Sequence, residues 1–173
     1  LIAGNQPQDR VPRLRAFWNE VSSRLLWPAP PAMLGPQARS LFNEASAQWG
    51  AATGIPGFFQ PRMPPPALQV PGTVGATSWY DTTPLQATLD RLIDFDLLNT
   101  TDPDRKVRLS VGAVNVTTGN SQYFDTSDGA CPTPLTASHI MASGALPPGF
   151  APVEVDGAWY WDGGLVSNTP STS

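Results

Sequence analysis

From residue 53 to residue 78 the chain reads TGIPGFFQPRMPPPALQVPGTVGATS, a run so dense in proline and glycine that no helix or strand of ordinary length fits within it. Proline removes a backbone donor and fixes φ, whereas glycine loses the most conformational freedom on ordering. The chain carries 20 Pro and 15 Gly in 173 residues, so this stretch divides it into two flanks where regular structure must lie. The same stretch holds Ile55, Phe58, Phe59, Met63, Leu68 and Val70. Long loops without regular structure are uncommon in compact domains and are often functional. Between about Gly54 and Val70 the apolar side chains either fold back onto the body, the simpler account, or meet an apolar partner such as a lipid aggregate.

On the N-terminal flank, Leu1 to Ala3 read as the last turn of a helix, with Gly4-Asn5 stopping it. Val11, Leu14, Phe17, Trp18, Val21 and Leu25 recur at helical spacing and predict a helix from about Asp9 to Leu26. Trp27-Pro28-Ala29-Pro30-Pro31 breaks it. A second helix is expected from about Pro36, with Leu41, Phe42, Ala45 and Trp49 on one face and Gly50 as its stop. On the C-terminal flank, Thr83-Pro84-Leu85-Gln86 has the form of a capping box, and Leu85, Leu89, Leu92 and Ile93 carry an apolar face to about Asp96. Val107 to Val116 alternates as a strand, Thr118-Gly119-Asn120 turns, and Ser121 to Phe124 returns. Asp128-Gly129 and Pro132-Thr133-Pro134 read as loop, and Leu135 to about Gly144 as a short helix of small residues. Pro152 to Val155, the Asp156-Gly157 turn and Ala158 to Trp161 form a hairpin. Helices alternating with strands favour an α/β fold.

The length suits a single domain, residues 1–173, with a real core. At 40% hydrophobic and 14% charged residues, the chain is too apolar for wholesale disorder. Its formal net charge is −4 and its 10 Lys and Arg are scattered, so no basic stripe exists to neutralise phosphates and a nucleic-acid partner is excluded. Cys131 is the single cysteine, which rules out an intrachain disulfide and a cysteine-based metal cluster and fits a reducing compartment. No apolar run approaches the ~20 residues that span a bilayer. An apolar start at Leu1 without Met or a signal pattern, and an end at Ser173, read as a cut chain.

Asp162-Gly163-Gly164 at the end of the last strand is the sharpest candidate site. A catalytic carboxylate needs a rigid support and open space beside it. A strand end provides the first and two glycines the second. Taken alone, the tripeptide reads more simply as a turn that ends a strand.

Its surroundings narrow that choice. Met141-Ala142-Ser143-Gly144-Ala145-Leu146-Pro147-Pro148-Gly149-Phe150, the hairpin, and Tyr160 through Asp162-Gly163-Gly164 to Asn168-Thr169-Pro170 resemble the C-terminal signature of bacterial patatin-like phospholipases. Ser78 to Thr82, the helix after it, and Arg108 to Asn115 are similar to the central region of that family. The likeness runs from about residue 78 to 170. Residues 1 to 30 fit more loosely, as the segment after a nucleophile helix. The resemblance implies an α/β fold with a mostly parallel sheet flanked by helices, incomplete at the N-terminus. It also implies hydrolysis of lipid acyl esters by a Ser–Asp dyad. There, a serine on a Gly-x-Ser-x-Gly elbow attacks the ester, an aspartate takes its proton, and backbone amides hold the oxyanion. Carried over residue by residue, the aspartate is Asp162, supported by Gly163 and Gly164. No Gly-x-Ser-x-Gly occurs in the chain, so the serine is expected just before residue 1. No cofactor or metal is implied. The expected partner is a lipid or acyl-ester substrate with peripheral membrane contact, in a cytoplasmic or membrane-surface setting. The rival reading is a non-catalytic partner- or membrane-binding module that works through the Phe58-Phe59 loop.

Other reactive residues read more simply. Ser143 has Met141, not glycine, two positions before it, and suits close packing. His139 is the single histidine and precedes Asp162, against the Ser–Asp–His order of α/β-hydrolases, so a structural role is expected. Asn115 is a strand-end polar residue, and Asp94 and Asp96 read as the acidic end of a solvated helix. Six tryptophans suggest carbohydrate binding, but Trp18 and Trp49 are expected in the core.

Overall fold

The computed structural model describes residues 1–22, 35–104, 107–127 and 133–166. The expected break at Trp27-Pro31, the Asp128-Gly129 loop, Cys131 and the Asn168-Thr169-Pro170 turn lie outside them.

The core forms on the C-terminal flank. Four strands, β3 (Ser110–Asn115), β4 (Ser121–Asp125), β5 (Val153–Val155) and β6 (Ala158–Asp162), make one sheet in the order β4-β3-β6-β5. Every pairing in it is antiparallel, with Val111 opposite Phe124, Ala113 opposite Asp162 and Val153 opposite Tyr160. The expected mostly parallel sheet is therefore corrected for the described strands. Two of the three pairings are hairpins, and a tight turn can only reverse a strand, whereas parallel neighbours need a crossover of a dozen or more residues. The β5–β6 turn is built from Asp156 and Gly157, both at positive φ (49° and 78°), which suits an aspartate-glycine pair. Asn115 serves the β3–β4 turn: its side-chain oxygen accepts from Thr117 and Thr118 N–H at 2.9 and 3.0 Å.

Helix α5 (Ala137–Ala142) packs on this sheet, and α3 (Thr83–Leu92) packs on α5. Leu89, Ile93, Leu98, Ala113, Phe124, Leu135, Ala142 and Val155 form the buried centre. The apolar face expected to run through Asp96 is interrupted at Ile93, where the backbone turns extended. A one-turn helix, α4 (Phe95–Leu98), follows, and Asp94 caps it by accepting from Leu97 N–H at 2.9 Å. Asp94 is thus a helix cap, and both it and Asp96 are exposed, as the solvated-face reading expected. The expected capping box of α3 is also replaced. Thr82 holds the cap position without a side-chain bond, and the Thr83 hydroxyl donates to Asp81 Oδ1 at 2.7 Å. Asp81 also accepts from Thr83 N–H at 3.1 Å and so takes over the start of the helix.

The N-terminal helices lie further out. Leu1 to Ala3 form no helix; Asn5 ties this end down by donating from Nδ2 to the carbonyls of Leu1 and Leu92, each at 2.8 Å. Helix α1 (Arg10–Val21) starts as expected but ends at Val21, short of the expected Leu26, where the backbone of Ser22 turns extended; residues 23–34 fall outside the description. It buries no residue fully; Leu14 and Phe17 face inward and Trp18 lies exposed. Helix α2 (Gly35–Thr53) runs through the expected stop at Gly50. It ends instead at Gly54, whose φ of 83° suits glycine and where a Cβ would lie 2.6 Å from the Phe59 carbonyl oxygen. Its inward stripe is Phe42, Ser46 and Gly50, while Leu41, Ala45 and Trp49 point outward. Trp18 and Trp49 are therefore not core residues. Small side chains let a helix approach its neighbour, and that selects the Ser46-Gly50 side of α2 over its bulkier one.

The proline-rich stretch remains irregular. Two-residue strands β1 (Gln60–Pro61) and β2 (Tyr80–Asp81) pair antiparallel at its base, and short 3₁₀ turns occupy Pro66–Leu68 and Val74–Thr77. Phe58 and Phe59 fold back onto the body, with the Phe59 ring centroid 4.6 Å from Tyr80 and 5.8 Å from Phe150. The simpler account of these two rings holds. Met63, Leu68 and Val70 remain exposed.

Candidate functional site

Strand β6 is the central support of Asp162. It pairs on one side with β3 and on the other with β5, so Asp162 ends a strand flanked on both edges. The Asp162 N–H donates to the Ala145 carbonyl at 3.0 Å, which fixes the strand end to the segment just after α5. One carboxylate oxygen, Oδ1, accepts from Gly164 N–H at 2.8 Å, as an N-cap for the 3₁₀ turn Gly163–Leu165. The other oxygen, Oδ2, makes no hydrogen bond among the described residues, and the side chain is partly exposed.

Gly163 explains why the turn can sit where it does. A Cβ there would lie 2.9 Å from both the carbonyl carbon and oxygen of Gly112, and 3.1 Å from Ala113 N. These are backbone atoms of β3 and cannot swing away. The glycine expected to clear space beside the aspartate instead lets two backbones touch.

Beside this strand end lies a small apolar pocket of about 80 Å³, lined by Phe58, Leu85, Ile140, Met141, Ala145 and Phe150 among others. Ala145 belongs both to this pocket and to the Asp162 anchor. A larger cleft of about 660 Å³ lies between α1, α2 and α3, bounded by Glu20, Trp49, Thr53 and Arg91, and does not include Asp162. Glu20 and Arg91 are ion-paired at its wall. Volume alone would select the cleft; a free carboxylate oxygen on a rigid strand selects Asp162.

Ser143 and His139 lie in or beside α5. The Ser143 hydroxyl donates to the Ile140 carbonyl at 2.8 Å, the behaviour of a helix-end serine. His139 is buried, its ring edge-on to Phe124 with centroids 4.7 Å apart. Its Nδ1 accepts from Thr136 N–H at 3.1 Å, completing the cap of α5. Burial holds its pKa below the ordinary imidazole value, with Asp156 pulling weakly the other way. Nε2 has no partner. An enclosed ring that caps a helix is what the structural reading expected.

Sequence reasoning missed one polar pair. Arg108 donates from Nε to both oxygens of buried Asp125, at 3.2 and 3.1 Å, across the first pairing of the β3–β4 hairpin. The Arg108 hydrogen bond holds the Asp125 carboxyl well below the usual range, against the opposing effect of burial. Seventeen positions separate the two residues, and no short motif links them. Among the described residues, no three His, Cys, Asp or Glu side chains gather as a metal site, and no helix is long and apolar enough to cross a membrane.

Asp162 thus ends an interior strand partly exposed, and Gly163 lets the turn after it touch the backbone of β3. The sequence model described as patatin-like phospholipase matches residues 1–173, and the chain belongs to that family. Among individual proteins, it is 34% identical over 102 residues to a cGAMP-activated phospholipase of Vibrio cholerae, an alignment covering 53% of this chain and 27% of that protein. The chain thus spans well under half the length of this relative. No solved structure matches the chain.

Proposed function

We propose that this chain forms the part of a serine-dependent lipid acyl hydrolase that supplies the catalytic carboxylate, Asp162. The observation that carries the reading is the division of labour between its two oxygens. Gly164 N–H holds Oδ1, and Oδ2 is left to accept a proton. A general base must be fixed in place and still have a lone pair facing the reacting group. The serine hydroxyl would give its proton to Oδ2 while its oxygen bonds to the acyl carbon. The same proton would then pass to the departing alcohol, and water would release the acyl group. The serine lies outside residues 1–173, since no Gly-x-Ser-x-Gly occurs among them. Substrate class follows the family: an acyl ester of a lipid.

The test uses a protein that carries this chain downstream of such a serine. Asp162→Asn keeps the hydrogen bond from Gly164 but is a poor proton acceptor, so hydrolysis should fall by ~10²–10⁴-fold with little change in melting temperature. His139→Ala should cost much less activity in molecules that remain folded. The opposite ranking would overturn the dyad. The 173-residue chain by itself should take up no fluorophosphonate label, and stoichiometric labelling of Ser143 would contradict both its dismissal and the missing nucleophile. The relative's name adds a regulator, and the likeness supports a cGAMP-dependent switch on the longer protein. Equal hydrolysis with and without cGAMP would remove that part.

A further inference from the structure

The loop above β1 and β2 keeps large apolar side chains in water after Phe58 and Phe59 have found partners. Met63, Leu68, Val70 and Trp79 are 85%, 74%, 70% and 55% exposed. From Met63 to Trp79 there is no charged residue, although the whole chain carries 14 Asp and Glu and a net charge of −4.

Part of the backbone of this loop is satisfied from within. Leu68 N–H donates to Pro65 O at 2.9 Å, Thr73 N–H to Val70 O at 3.2 Å, and Ala76 N–H to Thr73 O at 3.0 Å. Gln69 Nε2 closes on Pro64 O, and the Thr73 and Thr77 hydroxyls close on Val70 O and Val74 O, each at 2.7 Å. Pro64, Pro65, Pro66 and Pro71 carry no N–H at all. Entering a lipid interface costs most where backbone polar groups lose water without gaining a partner. The internal bonds and the four prolines reduce the number of such groups this segment would leave unpaired.

Charge sits only at its base. There a polar recess of about 270 Å³ is lined by Gln60, Arg62, Gln69 and Asp81, next to Met63. Arg62 Nε donates to Ser78 Oγ at 3.0 Å, and Gln60 Nε2 donates to Asp81 Oδ2 at 3.0 Å. One cation and one carboxylate below an uncharged apolar strip complement a layer of headgroups that carries both signs and no net charge. An anionic surface would instead be repelled by the chain's net charge. The loop is also joined to the candidate site: Trp79 and Tyr80 N–H donate to the carbonyls of Pro148 and Gly149, at 3.1 and 3.0 Å, in the segment between Ala145 and β5.

We infer that residues 62–79 form a docking surface for a zwitterionic lipid bilayer, with Met63, Leu68, Val70 and Trp79 entering the interface and the Arg62–Asp81 recess facing the headgroups. This deepens the lipid-hydrolase reading by naming where the chain meets its substrate's phase. It is tested by binding alone, so either can fail without the other.

The experiment is co-sedimentation of the chain with phosphatidylcholine vesicles, with and without added phosphatidylserine, at low and high salt. The chain should bind phosphatidylcholine with little salt dependence, and phosphatidylserine should not strengthen binding. Met63→Ser, Leu68→Ser and Val70→Ser together should weaken binding by at least about tenfold while the melting temperature holds, because exposed side chains contribute little to the fold. Val11→Ser with Leu41→Ser removes other exposed apolar groups, from α1 and α2, and should leave binding unchanged. The inference is overturned by absence of binding, by binding that requires phosphatidylserine and vanishes in salt, or by equal losses in the loop and control variants. Binding retained by the triple variant, as a protein-partner surface would give, overturns it too.

Discussion

Replacing Gly163 with alanine puts a Cβ 2.9 Å from the carbonyl carbon and oxygen of Gly112 and 3.1 Å from Ala113 N. Real Cβ contacts with backbone do not come that close, so either β3 or the Gly163–Leu165 turn must move. Overpacking of this kind typically costs ~1–3 kcal/mol. For a chain of this size each kcal/mol lowers the melting temperature by roughly 2–4 °C, so a drop of about 2–12 °C is expected. The movement also has a direction. If the turn yields, Gly164 N–H shifts away from Asp162 Oδ1, and in an active longer protein the rate falls as well as the stability. Gly144→Ala is the matched control, since its nearest non-local atom is Met141 O at 3.9 Å, an ordinary contact. Thermal melts followed by circular dichroism compare the two. A Gly163→Ala melting temperature equal to that of the wild type would refute the close approach of the two strands. An equal loss in Gly144→Ala would refute the idea that backbone contact, and not glycine content, is what matters.

Phe59→Ser removes a ring lying 4.6 Å from Tyr80 and 5.2 Å from Phe58, so it should destabilise the chain by about 1–3 kcal/mol, read as a lower melting temperature. An unchanged melt would return the Phe58-Phe59 pair to the role of an external contact. The pH dependence of stability should show two acid limbs. His139 has a lowered folded pKa, so its contribution is full above the unfolded value of about 6.5 and is lost as the pH falls below it; His139→Asn should flatten this limb. Asp125 is also lowered, so its contribution is full above about pH 4 and is lost below that; Asp125→Asn should be less stable at neutral pH and less sensitive to acid. Melting temperatures measured across pH check both, and a variant that keeps its parent's limb removes that assignment.

The sequence by itself determined the features that depend on neighbours along the chain. Alternation and the Asp156-Gly157 pair determined the last hairpin, and its length placed Asp162 at the strand end. Proline density determined that residues 54 to 78 hold only short turns and one two-residue strand. The start of α1 and the position of α5 were readable for the same reason, since period and breaker residues act over one or two turns. Only the tertiary structure decided which surface of each element meets another. Helix α2 has two plausible faces, and the packed one is Phe42-Ser46-Gly50 because a helix face is chosen by what lies opposite it. The Asp81 bonds to Thr83 and the Asp94 cap on Leu97 N–H span only two and three residues, so these were local signals that the sequence reading passed over. The antiparallel pairing of β3 with β6, the contact of Gly163 with Gly112, and the Arg108–Asp125 pair join residues distant in sequence. Their formation depends on the closure of intervening chain and on complementary surfaces meeting, quantities that no local pattern of residues encodes.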